Sequence, residues 1–402
     1  MAATVTAVNS DPPRREVKNV IISVDDHLVE PPDTFMDRMP RALADAAPRV
    51  IEREDGTQAW LMEGRSYPNI GLSAVAGRPP EEWNHQPSRF EQMRPGCYEI
   101  TQRVHDMDIN GVWASICFPS TIAGFAGARF FELTDRALGQ ACVRAWNDWH
   151  HDVWAAPFPE RIVPLQVTHL DDPTLAAAEI YRNAERGFKA LSFPDVPDFL
   201  GCESVHSGAW DPVLAACAET GTVVCLHVGS GGKLVSEWVM PGARSEMTNV
   251  LFSAGALIAA TYWLFSGAAL RFPDLQIAFS EGGIGWVPML LDRLDFMLDH
   301  GGRAYDGWQS RDLTPSEVVK RNFYFCTIDD PSTIGLHERI GTDRIMLESD
   351  YPHGDSTWPD TQLVAANLLA GLSQPAADAI AHGNAARLFR HPLPSTTGRA
   401  QS

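Results

Sequence analysis

Residues 19–27 read Asn19-Val20-Ile21-Ile22-Ser23-Val24-Asp25-Asp26-His27 and continue Leu28-Val29-Glu30-Pro31-Pro32. The β-branched run predicts a strand. Side chains alternate across a strand, so Asp25 and His27 at its carboxyl end lie on one side of the pleat and point two metal-ligand types in one direction. Alone, the pair equally describes a turn cap or a surface ion pair. Its weight comes from two later strands that end in the same chemistry.

Seven further short apolar runs recur along the chain, at 112–118, 162–168, 188–193, 222–227, 275–280, 322–327 and 343–349. Helical patterns separate them, as in 174–186 and 211–219. Strands alternating with helices imply right-handed crossovers and a parallel sheet, and eight of them close a (β/α)8 barrel, the TIM-barrel architecture. The interval 28–103 is far longer than an ordinary connection. Within it 49–54 and 57–62 flank Asp55-Gly56 as a hairpin would, with another turn at Glu63-Gly64. Because strand-to-helix loops of a barrel lie at its active face, this insertion is expected to be a lid or a subunit contact. The expected organisation is a mobile tail at 1–18, a barrel domain at 19–390 and a second tail at 391–402.

Composition narrows the functional classes. The 402 residues carry 45% hydrophobic and 21% charged side chains, as an ordinary globular protein does, with a net charge of −19. That charge argues against nucleic acid and anionic membranes as partners. The longest apolar stretch, around Leu251–Leu264, is too short to span a bilayer and reads as a buried helix. Seven scattered cysteines without a CxxC pair, and no visible signal peptide, point to the cytoplasm, with Cys117, Cys225 and Cys326 inert in strands.

The fifth run ends Cys225-Leu226-His227 and the eighth Leu347-Glu348-Ser349-Asp350. If the runs are barrel strands, Asp25, His27, His227 and Asp350 share one mouth. Two imidazoles and two carboxylates suit zinc or manganese. The sixth run ends Ser280-Glu281, which places Glu281 at the same rim as a functional carboxylate or as a helix-terminal anion. His353, three residues past Asp350, is a candidate acid. Arg244, Arg94 and Arg103 are candidate anchors for a substrate carboxylate, and Trp60, Trp83 and Trp286 candidate walls for a planar substrate. Lys189 opens its strand and so faces the opposite end, which disfavours a carbamylated lysine bridging two metals.

On Asp25-Asp26-His27-Leu-Val-Glu-Pro-Pro, Met107-Asp-Ile-Asn-Gly-Val112, Phe272-Pro-Asp-Leu275, Glu281-Gly-Gly-Ile-Gly-Trp-Val-Pro288, Glu348-Ser-Asp-Tyr-Pro-His353 and Gly383-Asn-Ala-Ala-Arg-Leu-Phe389, the chain resembles the amidohydrolase superfamily. The likeness runs from about residue 19 to 390 and is to the amidohydrolase 2 branch that includes aminocarboxymuconate-semialdehyde decarboxylase. The resemblance implies one catalytic metal in a (β/α)8 barrel. The family's first-strand HxH or ExH pair falls on Asp25 and His27, its fifth-strand histidine on His227, and its eighth-strand aspartate on Asp350. Two positions depart from the pattern. Asp25 replaces the usual first ligand, and Glu281 replaces the sixth-strand histidine that in relatives helps activate water or substrate.

The leading expectation is a hydrolase of an amide, ester or lactone in a small cyclic or aromatic compound, with one divalent metal, zinc before manganese. Asp350 or Glu281 would serve as base. The alternative is nonoxidative decarboxylation of an aromatic or unsaturated acid. A third reading, suggested by Glu281, is an inactive metal-binding scaffold. The expected partners are a small-molecule substrate and a second copy of the chain, a dimer.

Overall fold

The computed structural model describes residues 10–83, 86–235, 246–300 and 307–395. The first strand, β1 (Ile22–His27), is buried at all six positions. Three short strands follow: β2 (Arg49–Glu52), β3 (Gln58–Met62) and β4 (Arg65–Tyr67). The remaining strands are β5 (Ala114–Phe118), β6 (Ile162–Val163), β7 (Leu165–Gln166), β8 (Ala190–Ser192), β9 (Val223–His227), β10 (Ile277–Ser280), β11 (Phe323–Thr327) and β12 (Ile345–Leu347).

All pairings among β1 and β5 to β12 are parallel, in the order β1-β5-β6 and β7-β8-β9-β10-β11-β12. The eight expected runs are therefore eight barrel strands, the third interrupted at Pro164. Proline lacks the N–H that would continue the ladder. Its carbonyl still accepts from Lys189 N–H at 3.0 Å, so the sheet carries on. The last strand meets the first: Asp350 N–H donates to Asp25 O at 2.9 Å, and His27 N–H to Tyr351 O at 2.7 Å. This is a closed (β/α)8 barrel. Strands buried on both faces explain why the runs are continuously apolar rather than alternating.

The helices obey local signals. Asp172 caps the helix Pro173–Glu185 by accepting from Thr174 and Leu175 N–H. Thr314 and Glu317 make a reciprocal capping box at Pro315–Asn322. The apolar stretch near 251–264 is the helix Phe252–Phe265, with Ala256, Ala259, Ala260, Trp263 and Leu264 buried. No helix among the described residues is long and apolar enough to cross a membrane.

The long interval holds the hairpin read from sequence, extended by β4 into a three-stranded antiparallel sheet with Val50 opposite Trp60 and Trp60 opposite Tyr67. Residues 10–18, expected within a mobile tail, are instead tied to the barrel. Asp11 pairs with Arg94 and His105 at 2.8 Å each, Arg15 with Asp360 at 2.8 Å, and Lys18 N–H donates to Gln362. At the other end His391 is buried and bonds to Glu160 O.

Asp26 points away from Asp25 and His27 and ties the barrel seam. Its buried carboxylate accepts from Ser23, Ser115 and Ser349 hydroxyls and from Tyr351 N–H. Asp26→Ala leaves the Ser349 hydroxyl and Tyr351 N–H without an acceptor, at about 1–3 kcal/mol for each one left buried, while the Ser23 and Ser115 hydroxyls keep backbone carbonyls. We expect about 2 kcal/mol or more lower stability in urea unfolding of the metal-free protein. An unchanged midpoint would show that the seam does not depend on this residue.

Candidate metal centre

Asp25, His27, His227 and Asp350 converge as their strand ends require. His27 Nε2 lies 3.5 Å from Asp25 Oδ1, 3.3 Å from Asp350 Oδ1 and 3.2 Å from His227 Nε2. His227 Nε2 is 3.7 Å from Asp25 Oδ2 and 3.4 Å from Glu281 Oε2. The four side chains are at most 2% exposed. Both oxygens of Asp25 and both of Asp350 are buried without a hydrogen-bond partner. Buried carboxylates in that condition are costly unless a cation or proton meets them. The donor set fits a divalent metal.

The backbone aims two of these groups by unusual means. Glu281 and Asp350 both adopt left-handed conformations, with φ of 60° and 55°. Such conformations cost free energy in non-glycine residues and concentrate at functional sites. Each follows a strand end, and the turn swings its side chain back over the mouth. Glu281 N–H donates to Glu348 Oε2 at 3.2 Å, and Asp350 N–H is held by the seam bond to Asp25.

The electrostatics are those of crowded carboxylates. Burial raises Asp25 well above the usual carboxylate range, and Glu348, Asp350 and Glu281 raise it further. Burial also raises Glu281, with Asp350 and Asp355 adding to it. Glu348 is pushed up to about 8 by burial, and Asp355 to about 7 by burial and then by Asp350. Burial acts on Asp350 in the same sense, but the neighbouring His353 and His27 imidazoles outweigh it and hold this carboxyl low. Burial depresses His27, and it brings His227 to about 4. Neutral imidazoles are the form a metal takes. Among the described residues no lysine or arginine pairs with Asp25, Glu281 or Asp350; their ionic neighbours are histidines.

His353 stacks on His27, with ring centroids 3.9 Å apart, and its Nδ1 is 3.0 Å from Asp350 Oδ1. It also lines a cavity of about 430 Å³ with Arg78, Trp83 and Trp358. A second cavity of about 450 Å³ adjoins His227 through Gly229 and Ser230. Phe125 lines it and packs on both ligand-type histidines, 4.2 Å from His227 and 5.2 Å from His27. Asp195 fixes the loop that follows His227, accepting from Gly229 and Gly231 N–H at 3.1 and 2.6 Å. A Cβ at Gly231 would meet Asp195 Oδ1 at 2.5 Å, so only glycine fits there.

Several sequence candidates stand elsewhere. Trp60 is fully buried against Phe35, with centroids 5.8 Å apart, because its strand turns that face into the core. Trp286 packs edge-on to Phe325 at 5.3 Å and donates to Gly282 O, which makes it a strut beneath the sixth strand rather than a pocket wall. Arg94 is engaged by Asp106 and Asp11. Arg103 is buried, donating to Gly96 O and His27 O, and lies over the Tyr351 ring. It holds the His27 backbone rather than a substrate. Arg244 lies outside the described residues. Lys189 sits beside Arg390 at the far end of the barrel, as its place at the strand start implies. Sequence reading passed over Phe125, Asp195, Glu348 and Asp355. Only Asp355 carried a signal, its closeness to His353 in the chain.

Comparison with known proteins agrees with the barrel fold. The structure is similar to that of an amidohydrolase from Mycobacterium avium subsp. paratuberculosis K-10, at 22% identity and TM-score 0.74, over 93% of this chain and 100% of that one. It is similar to 5-carboxyvanillate decarboxylase LigW from Sphingomonas paucimobilis, at 19% identity and TM-score 0.64, over 93% and 100%. A dihydroxybenzoic acid decarboxylase from Polaromonas sp. JS666, solved with bound manganese and 2-nitroresorcinol, is 19% identical with TM-score 0.62, over 92% and 97%. A comparison with curated proteins gives no match. The family model described as amidohydrolase matches residues 119–391, which include the fifth, sixth and eighth strand ends of the centre, and the chain is therefore an enzyme of the amidohydrolase family.

Proposed function

We propose that this enzyme hydrolyses an amide, ester or lactone bond in a small, uncharged cyclic or aromatic compound, with one divalent cation held by Asp25, His27, His227 and Asp350. The observation that carries the reading is the convergence of these four donors beside a further carboxylate, Glu281, with no lysine or arginine among the described residues paired to any of these acids. Two ligand carboxylates balance the cation, and Glu281 leaves the mouth negative. That field favours a neutral substrate over an anionic one. The cation would supply Lewis-acid polarisation of a carbonyl and of water.

The protein groups then divide the work. Asp350 and Asp25 are committed to holding the cation, which leaves Glu281 as the group that takes the proton from water and returns it to the leaving atom. His353, stacked on His27 and open to a cavity, is placed to exchange protons with the rim. Phe125 and the Gly229–Gly232 loop form the apolar wall against which the ring lies. Of zinc and manganese, the carboxylate-containing set and the manganese found in the similar dihydroxybenzoic acid decarboxylase favour manganese.

Decarboxylation of a hydroxybenzoate is the second reading, favoured by the decarboxylases among the similar structures. Metal-loaded protein offered neutral lactones, esters and amides alongside hydroxybenzoates separates the two. Turnover of the first group without CO2 release is expected, and CO2 release from a hydroxybenzoate with no hydrolysis would overturn the hydrolase reading.

The interval 28–103 is proposed to cover the mouth. Val75 and Ala76 N–H both donate to Pro352 O at 3.0 Å, one residue before His353. Filling the site should therefore slow hydrogen exchange over 72–83. Exchange that is identical with and without manganese and 2-nitroresorcinol would count against this role.

A further inference from the structure

We propose that Ser120 is a specificity-determining acceptor in the cavity beside Phe125, fixed in that role by Glu30, and that the substrate is a cyclic amide bearing an N–H rather than an ester or lactone. This rests on the hydrolase reading above and narrows it. Glu30 lies just past β1 and Ser120 just past β5, and both are buried, at 0% and 2% exposure. Ser120 lines the cavity of about 450 Å³ whose Phe125 packs on His227 and His27.

A hydroxyl has one proton to give, and Ser120 gives it inward. Its Oγ–H donates to Glu30 Oε2 at 3.0 Å, while Glu30 Oε1 accepts Ser120 N–H and Trp146 Nε1–H at 3.1 Å each. Burial raises the Glu30 carboxyl, and these donors oppose the rise. With its proton so placed, Ser120 can offer a ligand only lone pairs.

The other hydroxyls on this wall are committed in the same way. Thr121 Oγ1 donates to Asn69 O, and Ser230 Oγ donates to Phe193 O at 3.1 Å while accepting Asp195 N–H at 2.8 Å. Gly229 N–H is taken by Asp195, Gly232 N–H by Gly229 O, and the Arg129 guanidinium by both oxygens of Glu132. A wall of this kind calls for a donor in the ligand. An ester or lactone bond carries acceptors alone, whereas an amide with hydrogen on nitrogen carries a donor as well. A ring without that donor leaves the buried Ser120 oxygen unmatched once water is expelled, which lowers its affinity.

The test compares dihydrocarbostyril, a fused lactam, with β-tetralone, in which a methylene replaces the N–H, by isothermal titration calorimetry of full-length, manganese-loaded protein. Wild type is expected to bind the lactam about tenfold more tightly, the scale of one hydrogen bond made to a buried acceptor. Ser120→Ala should erase that ratio by weakening the lactam alone. Glu30→Gln should erase it as well, for a reason particular to the geometry. The N–H groups of Ser120 and Trp146 hold the amide oxygen at the Oε1 position, so the NH2 faces Ser120 Oγ and turns its proton toward the cavity. A merely structural loss would weaken both rings and leave their ratio. Equal affinity of wild type for the two rings, binding of neither, or a ratio that survives either substitution overturns the proposal, and Ser120→Ala decides alone should Glu30→Gln fail to fold. The ratio needs no turnover, so its failure is distinct from that of the hydrolase reading, which CO2 release decides.

Discussion

His227→Ala protein is expected to leave purification nearly free of manganese and zinc while keeping its barrel. The imidazole stands between Asp25 and Glu281 and touches His27, so its loss removes one of the two neutral nitrogen donors and opens the set on one side. Removing a group that merely orients a ligand weakens metal affinity by about 10–100-fold, and losing the ligand itself should exceed that. The fold should survive because β9 is otherwise Val223, Val224, Cys225 and Leu226, all buried in the core. Elemental analysis paired with circular dichroism checks both halves. Metal content equal to wild type would reject the site, and a collapsed spectrum would mean His227 serves the fold.

Glu281→Gln should keep the tight metal and lose turnover by about 10²-fold or more, the scale on which a missing general base is felt. The amide preserves the shape of the side chain, and the backbone contact to Glu348 is made by the N–H, which the substitution leaves in place. What disappears is the proton acceptor. If Glu281 served only as an anion at the start of the helix Val287–Asp299, the effect would instead be about 1 kcal/mol of stability with turnover intact. Rate and melting temperature measured on one preparation decide. Wild-type turnover with a lowered melting point would remove Glu281 from the chemistry.

The strands and their order were legible in the sequence because a parallel barrel writes itself as repeated apolar runs, and the run-ending residues Asp25, His27, His227 and Asp350 inherited a common mouth from that topology alone. What escaped notice depended on partners far away in the chain. Nothing near Trp60 or Trp286 reveals that Phe35 or Phe325 will cover them. Arg103 looks like any surface arginine until it is found beneath His27. The segment 10–18 reads as a tail because its anchors, Arg94, His105 and Gln362, lie about 80 to 350 residues downstream. Phe125 sits in a loop, where no periodicity marks which side chain turns inward. Asp26 could have been found: strand alternation sends it opposite to Asp25 and His27, and a carboxylate sent between barrel strands must find donors there.

The seam that closes the barrel also has a consequence for synthesis. Asp25 and His27 leave the ribosome first, His227 some two hundred residues later, and Asp350 more than a hundred residues after that. Domains on a nascent chain fold from the amino end as it emerges. Here the opening strand must wait for the last before its hydrogen bonds to Asp350 and Tyr351 exist. A growing chain therefore offers a passing ion three loose donors and never a finished cage. On the proposed metal site, selection of the cation waits until the eighth barrel strand has locked against the first.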